Sequence, residues 1–80
     1  MPVTFGGEIV GLAVVDSHGD LLGSVKDLVI DLGTGAVVAL LVQVETGIDI
    51  ARLPWEEEGG LVRLAVEEVQ RVGAQVHLER

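Results

Sequence analysis

Two carboxylates and an imidazole alternate in Asp16-Ser17-His18-Gly19-Asp20, the densest cluster of chemistry-bearing side chains in this 80-residue chain. Such a set could meet a divalent cation, but imidazole suits transition metals and carboxylates suit hard ions, so the mixture favours neither strongly. A turn accounts for the same residues better, since Asp and Ser bond local backbone and Gly19 can take a positive φ. Asp27 and Asp31 form a second candidate pair. Four residues along a strand span ~13 Å, too far for two carboxyl groups to share a proton, so they read as solvated or turn-bonding groups. The chain has no cysteine, which removes a thiol nucleophile, a disulfide and a cysteine-ligated zinc. Ser17, Ser24, Thr4, Thr34 and Thr46 lack the Gly-x-Ser-x-Gly elbow of a serine nucleophile. Gly33-Thr34-Gly35 is too short for a phosphate loop and has no Lys-Ser/Thr after it. His77, between Val76 and Leu78, reads as an outward side chain of a strand. No catalytic residue, cofactor site or metal site is expected, and the chain reads as a non-enzyme.

Residues suited to binding are easier to find. Trp55 is the sole tryptophan and follows a proline. It reads either as core packing or as an interface anchor, a role in which Trp is enriched. Glu56, Glu57 and Glu58 beside it form the one charge run, either a solvated loop tip or a dock for a basic partner. Phe5, near the start, could pack on the domain or on a neighbour.

Composition narrows the class of partner. Thirteen acidic residues against five basic ones give a net charge of −8, a field that repels phosphate backbones and anionic membrane surfaces. Nucleic acid is therefore not expected as a direct partner. Membrane insertion is not expected either, because the longest apolar run, Ala36 to Val42, is far short of the ~20 residues that span a bilayer. The start of the chain lacks the basic and apolar regions of a signal peptide, so a soluble, cytoplasmic protein is expected. A chain with no Asn, one Met and four Arg to one Lys also fits a heat-tolerant, thermostable protein. Domains this small bury only ~60% of their unfolded surface. With 49% hydrophobic residues and a mean hydropathy of +0.52, an apolar patch covered by another chain is expected.

Glycines divide the sequence into short apolar segments, as turns divide strands. Six strands are expected, over 8–15, 22–32, 36–44, 48–53, 61–65 and 74–78, with residues 1–7 as a loose arm of a single domain over 1–80. The step of three from Val25 to Leu28 breaks the alternation of the second strand, and one extra residue near Lys26 and Asp27 restores it, which predicts a β-bulge. The third strand, Ala36–Val44, is apolar at nearly every position, so both its faces should be covered. One face lines the core, and the other, with Val37, Ala39 and Leu41, is the natural interface. Ile48–Leu53 alternates like a half-buried strand and Pro54 ends it. Val66, Val69 and Val72 recur every third residue, which predicts one short helix capped by Gly73.

Residues 11–35 resemble the PRC-barrel family in Asp16, Gly19, Leu22-Gly23, Val25, Asp27 to Asp31 and the Thr34-Gly35 turn. Leu53-Pro54-Trp55 is similar to the family's later Ile-Pro-Trp or Ile-Pro-Phe element, and residues 66–73 to its closing segment. The resemblance, which runs over residues 7–79, implies an all-β fold: a small six-stranded antiparallel barrel with one short helix near the C-terminus. It also implies binding and assembly functions, as in the photosynthetic reaction-centre H subunit and in ribosome maturation factors. The membrane helix of the first and the second barrel domain of the other are expected to be missing here. The expected function is a protein-interaction module, self-associating as a homodimer through the apolar strand face. One alternative is an adaptor docking a ribosomal or membrane complex through Trp55 and the acidic loop. Another is a small-ligand or metal-binding barrel, although so small a barrel should be filled by its own side chains.

Overall fold

Two long strands form the spine of the sheet, β2 (Leu21–Ile30) and β3 (Val37–Val44), joined by a turn that Asp31 builds. Its Oδ1 accepts from the backbone N–H of Gly33 at 2.7 Å, and its own N–H donates to the carbonyl of Ala36. In this computed structural model, which describes residues 9–80, five shorter strands complete the sheet: β1 (Ala13–Val15), β4 (Glu56–Glu58), β5 (Leu61–Ala65), β6 (Val69–Val72) and β7 (Val76–Leu78). The strand order is β4-β5-β3-β2-β1-β7-β6. Pairing is antiparallel throughout except for β1 with β7, which run parallel. Among the described residues the sheet has seven strands and does not close, leaving β4 and β6 as edges. The all-β fold is as expected, but the expected six-stranded antiparallel barrel is corrected to a seven-stranded open sheet with one parallel pair. The arm expected over residues 1–7, with Phe5, lies outside the described residues. No helix among the described residues is long and apolar enough to cross a membrane.

The core sits on one face of the sheet, where Val14, Val25, Leu40, Val42, Val62, Leu64, Val76 and Leu78 are buried. The bulge expected in β2 is present: Val25 opposes Val42 and Asp27 opposes Leu41, so Lys26 is the extra residue. It places Val25 and Leu28, three apart in sequence, on the core face together. A second shift between Val29 and Ile30 skips Val38, and beyond it Ile30 is half-exposed and Leu32 fully exposed. Gly23 is obligatory where β2 meets the end of β3, since a Cβ there would stand 2.0 Å from the carbonyl oxygen of Gln43.

Two expected elements differ. Ile48–Leu53 is no strand. Asp49 Oδ1 accepts from the N–H of Ala51 and starts a 3-10 turn over Ile50–Arg52. In 3-10 geometry residues three apart lie on one side, so Ile50 and Leu53 both reach the core. Val66–Val72 is no helix either. It is a 3-10 turn over Val66–Glu68 followed by β6. Val69 opposes Leu78 and Val72 opposes Val76, leaving Gln70 as the extra residue of a bulge. The bulge puts both valines on one face, so their spacing of three arises as it does in β2. β-Branched valine is also a weak helix former. Glu56–Glu58, expected as a loop, is the strand β4, turned into β5 by Gly59 and Gly60, both at positive φ.

Candidate functional site

Trp55 is delivered to the surface by a sequence of local turns. The N–H of Ile48 bonds the carbonyl of Glu45, Asp49 caps the following 3-10 turn, and the N–H of Leu53 closes it on the carbonyl of Ile50. Pro54 has no N–H to donate, so the chain leaves the turn extended, and Trp55 lies half-buried against the core cluster. A groove of about 330 Å³ opens beside it, floored by Leu22, Ile48, Leu53 and the indole and rimmed by Asp16 and Asp20. A second cavity of about 240 Å³ has Glu56 and Glu68 in its wall. Arg80 and Trp55 border both.

The electrostatics centre on Glu68. Its carboxylate takes both arms of the Arg80 guanidinium, Nε to Oε1 and Nη2 to Oε2, each at 2.9 Å. The same guanidinium lies over the Trp55 ring, 5.6 Å from its centroid, within the range of a cation–π contact. Arg80 holds the Glu68 carboxyl below its ordinary pKa of 4.5, the bond counting for more than the opposing loss of solvent, and the nearby indole adds to the lowering. Glu68 in turn raises the pKa of the guanidinium. The indole N–H is buried and, among the described residues, meets no acceptor at strict bonding geometry; it lies close enough to the Glu68 carboxylate to favour its charged form.

The other residues singled out by sequence fall in different places. Asp16 Oδ1 accepts from the backbone N–H groups of His18 and Asp20, which makes it a turn builder. Those bonds, that of Asp20 first, hold its carboxyl below the ordinary 3.8. Among the described residues no three His, Asp or Glu side chains gather as a metal cluster. On β3, Ala39 is buried in the sheet and Leu41 is half-buried between Asp27 and Arg63 in register. Val37 belongs to the core side, lining a wholly apolar cavity of about 130 Å³ with Leu40, Val66 and Val69. These three residues therefore do not form one free face. Glu56 reaches the Trp55 site, Glu58 approaches Arg63 at 3.4 Å, and Glu57 points to the opposite face of β4. Glu68 and Arg80 carry no signal in the sequence that singles them out. They lie 12 residues apart, and only the β6–β7 hairpin, closed by the bond from Glu79 N–H to the Glu68 carbonyl, brings them together.

A model of the PRC-barrel domain matches residues 1–76. No curated protein sequence matches the chain. Among solved structures, the crystal structure of a Pseudomonas aeruginosa protein put forward as the 16S ribosomal RNA processing protein RimM superposes with a TM-score of 0.62 at 18% identity. The match covers 100% of this chain and 45% of that one, so this chain spans less than half the length of that protein. At that identity the likeness is one of fold.

Proposed function

Because the chain belongs to the PRC-barrel domain family, we propose that it is a non-catalytic protein-interaction module that grips a segment of a partner protein in the groove beside Trp55. The groove itself carries this reading. It has an apolar floor, an acidic rim and a large aromatic wall, and Trp is enriched among the residues that anchor interfaces. The similar RimM structure belongs to a protein put forward for ribosomal RNA processing, and an assembly role of that kind, in the cytoplasm, fits a chain too acidic to hold RNA by itself. The absence of cysteine goes with the same setting.

The test compares proteins captured from cell extract by the native chain, by Trp55→Ala, and by a variant with Glu56, Glu57 and Glu58 replaced by Gln. A partner kept by the native chain and lost with Trp55→Ala supports the reading. An identical captured set for folded native and Trp55→Ala protein contradicts it.

Self-association is a second reading, supported by half-exposed Val66 and Val72 at the apolar cavity beside the open edge of β6. A solution mass of one chain at micromolar concentration removes it.

A further inference from the structure

The arrangement around Glu68 is a binding site whose occupant comes from the same chain. A carboxylate offering both oxygens to one planar fork, with an aromatic face alongside, is a fit for guanidinium that an ammonium cannot reproduce. The acceptor is the fixed half of the pair. Glu68 is held by its backbone bond from Glu79, and its side chain keeps 24% of its exposure, whereas that of Arg80 keeps 57%. Arg80 also lines both of the cavities that share Trp55, so moving it away opens space beside the indole in each. The carboxylates beside these cavities, Asp16, Asp20 and Glu56, and the net charge of −8 favour a cationic entrant.

We infer that the Glu68 carboxylate and the Trp55 face form a seat for an arginine side chain of a partner protein, and that Arg80 fills this seat until the partner displaces it. The inference rests on the reading of the groove as a protein-docking site and adds what the docked segment must contain. An arginine entering the seat replaces the Arg80 bonds like for like. Arg80 thereby sets a threshold: weakly cationic or poorly shaped segments do not displace it.

Trp55, the sole tryptophan, reports directly. Native protein and Arg80→Ala are titrated with the blocked tripeptide leucine-arginine-leucine and with its lysine counterpart, following Trp55 emission, with circular dichroism and thermal melting to confirm the fold. If Arg80 occupies the seat about nine-tenths of the time, its removal tightens apparent binding about tenfold. The expected results are a response of Arg80→Ala to the arginine peptide at about a tenth of the native concentration, a weaker response to lysine, and its loss when Glu68→Gln is added. No response of folded Arg80→Ala at millimolar arginine peptide overturns the proposal, as does equal binding of the lysine peptide or binding that survives Glu68→Gln. If Trp55-dependent partner capture persists alongside such a result, the groove reading stands and the seat alone is refuted. If capture is independent of Trp55, both fall.

Discussion

Gly23→Ala tests how the sheet holds the groove in place. The added Cβ would stand 2.0 Å from the carbonyl oxygen of Gln43 and 2.8 Å from its carbon, both backbone atoms that cannot rotate away. The strands β2 and β3 must part by about 1 Å merely to bring the first contact to 3.0 Å. That opening stretches the adjacent bond from Glu45 N–H to the Leu22 carbonyl, now 2.9 Å, and its ladder neighbour. Two weakened bonds at ~1 kcal/mol each, with a similar ~1–2 kcal/mol of overpacking, amount to ~3–4 kcal/mol. A chain of this size has a total stability of only about 4–12 kcal/mol. At ~4–8 °C per kcal/mol, Tm should fall by ~12–30 °C. Because Leu22 and Ile48 floor the groove on either side of this junction, Trp55 emission should shift before the global melt. Gly73→Ala is the control: nothing lies within 4 Å of its added Cβ and its φ is not positive, so Tm should stay within ~3 °C. Differential scanning calorimetry with parallel Trp55 fluorescence measures both. A Gly23→Ala protein melting within ~3 °C of the native one refutes the reasoning about the close approach.

Three further outcomes are expected. Asp49→Ala removes the carboxylate that starts the Ile50–Arg52 turn and should cost about 1 kcal/mol by urea unfolding, with a red shift of Trp55 emission; an unchanged midpoint would count against the cap. Glu68 has a depressed pKa in the folded chain, so the stabilisation from its bond to Arg80 is complete above the ordinary 4.5 and is lost as pH falls through the lowered value. Trp55 emission should therefore stay flat from pH 7 to 4.5 and change only below it, and Arg80→Ala should abolish that step, whereas a step above pH 5 would contradict the pairing. Deleting Lys26 removes the β2 bulge residue and turns either Val25 or Leu28 off the core face; exposing one such side chain costs ~2 kcal/mol or more, read as a lowered urea midpoint.

The β2 bulge was legible in sequence because alternation on either side of Lys26 fixed its phase. The same three-residue step in Val66, Val69 and Val72 predicts a helix, although in the fold it is also a bulge, about Gln70. The segment is too short for alternation to establish the phase, and a period of three suits a 3-10 turn, a bulged strand and a helix alike. Ile48–Leu53 failed for a related reason. Its alternation is real, but Asp49 bonds backbone two residues on, and that local bond competes with the ladder. Trp55 was visible as an anchor by type alone. Its surroundings were not, since Glu68 and Arg80 meet only after β6 and β7 pair, and no local pattern announces a contact between the residue before one strand and the second residue beyond its partner. Alternation alone sets Val37, Ala39 and Leu41 on one side of β3; the skipped Val38 puts Val37 on the core side instead, and Ala39 is buried.

The placement of a partner in the Trp55 groove is tested most directly by photo-crosslinking in cells. A photoreactive residue is put at Leu21, which is half-exposed and lines the groove, and separately at Leu32, which is 96% exposed and does not line it. A groove that docks protein gives a covalent adduct of discrete mass from Leu21, lost on adding Trp55→Ala, and none from Leu32. Adducts from Leu32 with none from Leu21 would show that partners meet another surface.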